Sequence, residues 1–495
     1  MEGAKIIIVL AAIVLMVYML IREYLRPGLV LFSTVVLLLC CGIITTEDAL
    51  SGFANKGMIT VALLFLVSEG VRRSDCLGPI MKRIFPAGSS SIRRGYSTIL
   101  TTVAATSAFL NNTPIVVIFI PHIKAWCRRV GLPIKKFLIP LSYAAILGGM
   151  CTLIGTSTNL VVHSLMLDAG LEGLSMFEIG KVGIIVAIVG LGYIILCGDR
   201  LLPSDRDTTE QPNNHIVEVV LAARFPGIRC SQAEFDFQKH YGATIVAIRR
   251  DGEIVDDMEQ YTYKENDTLV LNAESSFMDT WGESRVFLAM TNGSEHKVQV
   301  PRWKRRLSLL LLAVMIVGAT LSDMFIWAAV VAVIMACTNI FPAKKYTKFI
   351  SWDILITIAS AFAISRAMSV SGVADAVAEL IIGICEDVSP YTILAVIYIV
   401  TNIITELITN NAAAAFAFPI ALSVATKLGA DPTPFCIAIC IAASASFSTP
   451  IGYQTNTIVQ GLGGYRFSDF VRFGLPLNII TFIVSMIFIP IFWSF

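Results

Sequence analysis

Charge is scarce in this chain. Only 15% of its 495 residues are Asp, Glu, Lys or Arg, where soluble domains carry about one quarter. The formal net charge is +1, which gives no sign of a nucleic-acid partner. No GxxxxGK[ST] loop occurs, and no Ser/His/Asp or Cys/His group is suggested. An ATP-driven pump and an enzyme are therefore disfavoured. No potassium-filter sequence appears, which counts against a fixed selective pore. The eleven cysteines lack paired or metal-ligand spacing. Most, including Cys40, Cys41, Cys151, Cys337, Cys436 and Cys440, lie in apolar runs and read as small buried hydrophobes.

What replaces charge is hydrocarbon. Hydrophobic residues make up 56% of the chain, and the mean hydropathy is +0.74. Apolar runs recur at Ile6–Ile21, Leu29–Ile44, Val182–Cys197, Leu307–Leu321, Phe325–Ile340 and Leu475–Phe492. Runs of about 17 residues or more cross a bilayer core of about 30 Å as helices. The chain reads as a polytopic membrane protein. Its first run lacks a small-residue cleavage site and continues into a second, so it reads as a retained helix.

One segment, from about Leu202 to Val300, turns polar. It holds the alternating stretches "HIVEVVLA", "ATIVAIRRDGEIV" and "DTLVLNA", with Arg250-Asp251-Gly252 as a hairpin turn. The expected organisation is membrane repeat 1 over 1–200, a small cytoplasmic α/β domain over 208–298, and membrane repeat 2 over 302–495.

The flanking halves match each other. Asn111, Asn112, Thr113 and Pro121 fall on Thr409, Asn410, Asn411 and Pro419 at an offset of 298 residues. "TLIGTSTNLVV" matches "TPIGYQTNTIV" at an offset of 297, and "SEGVRRSDCL" aligns weakly with "SRAMSVSGVA". Three matches in one order argue for an internal duplication. If the Asn111 segment is a re-entrant hairpin, the first half makes five crossings and basic loops share one side with the polar segment. That side is cytoplasmic, with both termini outside. An odd number of crossings inverts the second half. The fold expected is all-α and polytopic, with two inverted repeats that each hold a re-entrant hairpin and a broken helix. Substrate binds near the midplane of such folds.

Breaking a helix at membrane depth costs several kcal/mol per unsatisfied group unless the break lines protein or water. An Asn-Asn-Thr-Pro tip meets that requirement, with amides and a hydroxyl replacing backbone partners and Pro114 opening a helix without an N–H. Freed carbonyls suit a hard cation, and half-helix N-termini suit an anion. The runs Gly155-Thr156-Ser157-Thr158-Asn159 and Gly452-Tyr453-Gln454-Thr455-Asn456 read as unwound centres of two broken helices.

These paired tips resemble the divalent anion:sodium symporter family, whose hallmark is a Ser-Asn-Thr tip at each of two hairpins. The resemblance covers the whole chain. It implies one Na⁺ site at Ser107, Asn111, Asn112 and Gly155, and another at Thr405, Ile408 (through its carbonyl), Asn410 and Gly452. It places the anion against Asn112, Thr113, Thr156, Ser157, Asn410, Asn411, Tyr453 and Gln454. Neither tip is strictly Ser-Asn-Thr, and prolines common in the dicarboxylate branch are missing after Gly155 and Gly452. Glu218 to Ala273 resemble the TrkA-C regulatory domain. That likeness implies homodimerisation and a small regulatory nucleotide such as cyclic di-AMP.

The expected function is Na⁺-coupled symport of a divalent inorganic oxyanion, sulfate first, across the cell (inner) membrane, with the lipid bilayer as the other partner. The rivals are a dicarboxylate symporter, a Na⁺/H⁺ antiporter of the same superfamily, and a ligand-gated channel. Glu406 is either a cation- or proton-coupling group or a partner for a neighbouring helix. Glu69 and Arg366 read as snorkelling residues with gating as the alternative, and His163 as interfacial. The bland reading of the tips is hydrogen bonding within a packed bundle.

Overall fold

The computed structural model describes residues 2–22, 25–74, 92–204, 216–232, 234–250, 253–255, 261–273, 277–282, 284–292, 301–384 and 389–495. Its first half contains α1 (Glu2–Ile21), α2 (Pro27–Cys40), α3 (Lys56–Arg73), α4 (Ile92–Ser107), α5 (Asn112–Val130), α6 (Leu138–Gly149), α7 (Ser157–Asp168) and α8 (Gly180–Leu201). The second contains α9 (Arg302–Leu321), α10 (Met324–Cys337), α11 (Trp352–Ser371), α12 (Val373–Ile384), α13 (Pro390–Leu407), α14 (Asn410–Leu428), α15 (Thr433–Ser444), α16 (Gln454–Gly463) and α17 (Phe467–Phe492).

Helix lengths and stop signals recur between the halves. The helices α5 and α14 each have 19 residues and each end at a left-handed glycine, Gly131 (φ 75°) and Gly429 (φ 64°). That backbone closes a helix most easily without a side chain. Among the described residues six stretches are long and apolar enough to span a bilayer, including Thr46–Arg73, Gly180–Leu201 and Phe467–Phe492.

Two expected spans come out short. The runs Leu29–Ile44 and Phe325–Ile340 form helices of only 14 residues, ending at Cys40 and Cys337. Left-handed residues follow both, Gly42 (φ 67°) and Asn339 (φ 51°). At 1.5 Å per residue these helices reach about 21 Å. The cysteine expectation is corrected as well. Cys436 and Cys440 are buried and Cys151 is intermediate, but Cys40, Cys41 and Cys337 are exposed. On an outer face of this kind apolar side chains need not point inward.

Packing follows an exchange rule. Helix α2 lies against α11, and α3 against α10. Helix α5 touches α16, and α7 touches α14. Each element meets the counterpart of its partner's equivalent, while α8 packs on its own counterpart α17. Such exchanges are what an approximate twofold relation between the halves produces.

Between α8 and α9 stands a five-stranded sheet: β1 (Ile216–Leu221), β2 (Ala243–Arg250), β3 (Glu253–Ile254), β4 (Thr268–Ala273) and β5 (Phe287–Asn292). The order is β3-β2-β4-β1-β5, with every pairing antiparallel. Arg250 pairs with Glu253, as a hairpin requires, while the turn residues Asp251 and Gly252 lie outside the described residues. An aromatic core of Phe225, Phe235, Phe237, Tyr241, Tyr263 and Phe287 fills one face. The other face is not left to water. Strand side chains alternate, so Val217, Val219 and Leu221 enter the sheet's own core, whereas Val220, with Ala289 of β5, joins the core of the helices.

Candidate functional site

Helix α4 stops at Ser107 and α5 begins at Asn112; helix α13 stops at Leu407 and α14 begins at Asn410. Ile408 bridges the second break in extended conformation (φ −133°). Helices α6 and α15 likewise stop short of α7 and α16, leaving non-helical segments before Ser157 and Gln454. Pro114 sits in the first turn of α5, where its missing N–H costs nothing.

Five hydrogen bonds hold each break, and they recur at the offsets of the repeat. Ser107 Oγ donates to Asn112 Oδ1 (2.5 Å), and Thr405 Oγ1 pairs with the Asn410 amide at 2.9 Å. Thr152 Oγ1 donates to the Ala108 carbonyl, as Thr449 Oγ1 does to that of Glu406. Gly155 N–H donates to Thr152 Oγ1 (3.2 Å), as Gly452 N–H does to Thr449 Oγ1 (3.3 Å). The Asn159 amide donates to the carbonyls of Thr152 (2.9 Å) and Gly149 (3.5 Å). The Asn456 amide does the same to Thr449 (3.1 Å) and Ser446 (2.8 Å).

At the second break, oxygens surround the Asn410 amide. Its NH₂ donates to the Gly452 carbonyl (2.8 Å), Thr405 Oγ1 (2.9 Å) and the Ala443 carbonyl (3.3 Å). Among the described residues no group of three or more His, Cys, Asp or Glu could hold a metal; the atoms around the Asn410 amide are neutral carbonyl and hydroxyl oxygens.

The glycines are required by close approach. A Cβ on Gly155 would lie 2.5 Å from the Gly149 carbonyl, and one on Gly452 would lie 2.5 Å from the Thr405 carbonyl. Both obstacles are backbone atoms, which cannot swing aside. Asn111 precedes α5 as its cap residue, and its side chain makes no cap hydrogen bond.

Between the breaks, each half supplies partners to the other. Asn112 Nδ2 donates to Tyr453 OH, which also lies 3.2 Å from Thr156 Oγ1. Thr113 Oγ1 donates to Gln454 Oε1 (3.3 Å). The exchanged pair is Ser157 Oγ donating to Asn411 Oδ1 (3.2 Å), and Thr158 Oγ1 donates to the same oxygen (3.2 Å). The candidate anion residues Asn112, Thr113, Thr156, Ser157, Asn411, Tyr453 and Gln454 therefore form one cross-linked group, with Asn410 beside it in the oxygen cluster. The helices α5, α7, α14 and α16 all start here, and none has a side chain closing its cap. Uncapped helix starts carry free N–H groups and positive dipole ends, which favour negative charge. Thr409 Oγ1 and Asn159 Oδ1 are buried without a hydrogen-bond partner.

Glu406 is anchored by a neighbouring helix. Its carboxylate accepts from Ser448 N–H (2.8 Å) and from Asn478 Nδ2 of α17 (2.7 Å), with Ser446 Oγ at 3.4 Å. Glu69 is ion-paired with Arg72 and Arg73 at 2.6 Å, and Arg366 lies 3.5 Å from Asp48. Glu69 thus pairs within its own helix, and Arg366 with an acid of the other half. His163 lines a cavity of about 400 Å³ beside Lys56 and Asp323, away from the cross-linked group.

Thr152 and Thr449 had no role in the sequence reading, and Asn159 and Asn456, expected in unwound centres, lie in the first turns of α7 and α16, although all four stand in the matched stretches. Their conserved spacing across the repeat was the available signal. Ser446 and the Ala443 carbonyl carried none, because Ser446 stands where the first half has Gly149.

The Alcanivorax borkumensis YdaH transporter has a similar fold, with a TM-score of 0.52 at 12% identity, covering 90% of this chain and 87% of that one. An uncharacterised transporter of Synechocystis sp. is 28% identical over 599 aligned positions, covering 99% of this chain and 97% of its own length. Sodium/sulfate cotransporter 1 of Chlamydomonas reinhardtii is 36% identical over 225 residues, which cover 43% of this chain and 25% of that protein. The family described as citrate transporter (CitMHS) matches residues 10–426 and again 326–495. By that match this multi-pass membrane protein is a transporter belonging to the citrate transporter family.

Proposed function

We propose that the protein couples Na⁺ to the uptake of a divalent oxyanion, sulfate first, by alternating access between two inverted repeats. The observation that carries this reading is the neutral centre. None of the candidate residues bears a charge, yet four uncapped helix starts and a ring of amides and hydroxyls face one another. Four helix ends at about half a positive charge each match a dianion's charge in sum, but such partial charges do not repay the cost of desolvating it. Cations bound at Ser107, Asn111, Asn112 and Gly155, and at Thr405, Ile408, Asn410 and Gly452, supply the remainder. Anion binding then requires Na⁺, which is the basis of symport. Cross-links of 3.2–3.3 Å between the tips and the segments facing them suit a compact tetrahedral anion, and the sodium/sulfate cotransporters that match part of the chain agree with it.

The family's description supports a second reading, in which a carboxylate replaces sulfate in the same cradle. In either case the sheet lies on the cytoplasmic side with both termini outside. The TrkA-C-like sheet pairs with a second copy and takes a small regulatory nucleotide.

Binding to purified protein is the direct test. Na⁺ should raise the melting temperature by itself, and sulfate should raise it further only in Na⁺, not in K⁺ or choline. Succinate or citrate replacing sulfate in that role would select the carboxylate reading. Equal stabilisation by sulfate in K⁺ would remove cation coupling.

A further inference from the structure

The sheet touches two different sets of helices, and the two contacts differ in strength. On one side Glu218 of β1, on the same strand face as Val220, meets Lys124 of α5 at 2.5 Å, with Arg249 3.8 Å away. Lys124 is 6% exposed. At the end of α16, Gly461 lies so close that a Cβ there would come 2.6 Å from Thr268 Oγ1 of β4 and 3.3 Å from Val220. These two helices carry the candidate site at their opposite ends, since α5 opens with Asn112 and α16 with Gln454. Helix α16 has only ten residues, so the sheet stands about 15 Å from Tyr453 and Gln454 along a rigid rod.

On the other side the contacts are exposed. Arg285 Nη2 donates to the Thr347 carbonyl (2.9 Å) in the turn between α10 and α11, and Arg224 lies in electrostatic range of Asp353 in the first turn of α11. Helices α10 and α11 pack on α2 and α3, and α11 also packs on α14, but neither supplies a residue of the candidate site.

We infer that the sheet is a brake that staples the site-bearing helices α5 and α16 to the α10–α11 turn. The Lys124–Glu218 side stays fixed through the cycle, and the Arg285–Thr347 side must open for the site to change its exposure. Parting a buried ion pair strands two charges, whereas the exposed hydrogen bond is replaced by water at small cost. The weak side therefore yields first. The brake rests on the alternating-access reading, and a ligand of the sheet would act by tightening or loosening this edge.

The test uses the full chain with its native cysteines replaced, carrying Arg285→Cys and Thr347→Cys joined by a short reducible cross-linker. In a separate labelling sample, a Gln454→Cys reporter is labelled with an impermeant maleimide from each face and read by peptide mass, while transport is measured on protein that keeps Gln454. The bridged protein should label from one face only and transport at least tenfold more slowly, with both properties restored by reduction. The same bridge at Lys124→Cys and Glu218→Cys should change neither, and Arg285→Ala alone should raise the maximal rate at unchanged KM. Labelling from both faces in the bridged 285–347 protein would overturn the brake. If sulfate is not carried but labelling still switches with the bridge, the substrate assignment fails and the brake stands.

Discussion

Gly452 and Gly155 carry a prediction that no charged residue offers here. A methyl group on Gly452 would press on the Thr405 carbonyl at 2.5 Å and on Ser446 Oγ. A methyl on Gly155 would press on the Gly149 carbonyl at the same distance. Either alanine variant should weaken its own cation site by tenfold or more, equivalent to about 1.4 kcal/mol, and leave the other intact. Na⁺ titrations of thermal stability should show a shallower dependence for each single variant and none for the double. Unchanged Na⁺ dependence in Gly452→Ala would exclude that oxygen cluster as a cation site. Glu406 makes the two breaks unequal, because the first half has Ala108 in its place. Its carboxylate is held by neutral donors next to the Thr405–Asn410 cluster. Glu406→Gln should raise the Na⁺ concentration for half-saturation severalfold. An unchanged value would assign the residue to helix packing alone.

Among the elements, β1 deserves separation from the helices it serves, because its two faces have different partners. Glu218 is pushed upward by burial, but Lys124 and Arg249 outweigh that and hold it below the ordinary carboxylate range. A depressed carboxyl contributes stability above its unfolded value of about 4.3, and the contribution is lost as pH falls through the folded value. Docking of the sheet on α5 should therefore be insensitive to pH above about 5 and fail in stronger acid, as read by limited proteolysis of the sheet. Lys124→Met should cost about 3–5 kcal/mol by stranding Glu218, and Lys124→Met with Glu218→Leu should recover much of it. A double variant no more stable than the single would show that the pair is not the docking contact. Sequence made β1, β2, β3 and β4 legible through period-two patterns. It missed β5, whose "FLAMTN" does not alternate cleanly, and it could not reveal that the even positions of β1 face helices. Likewise Gly42 and Asn339 shorten two apolar runs, because a left-handed residue ends a helix regardless of the hydrophobicity that follows.

For the whole molecule, the repeat was the most legible feature, since polar residues at membrane depth are rare enough for a 298-residue echo to stand out. The tips and unwound segments were found from Asn, Thr and Gly alone. Their cross-pairing, tip of one half to unwound segment of the other, was not, because sequence carries no distance between segments some 340 residues apart. The same limit hid Ser446 and the Ala443 carbonyl, one without a repeat partner and the other a backbone atom. The central claim is that a neutral cradle binds a dianion only with Na⁺, and uptake into proteoliposomes tests it most directly. With an inward Na⁺ gradient, labelled sulfate should accumulate above equilibrium, collapse when the gradient is dissipated, and disappear in Asn112→Ala and Asn410→Ala. Sulfate entry at the same rate and extent without Na⁺ would contradict the account.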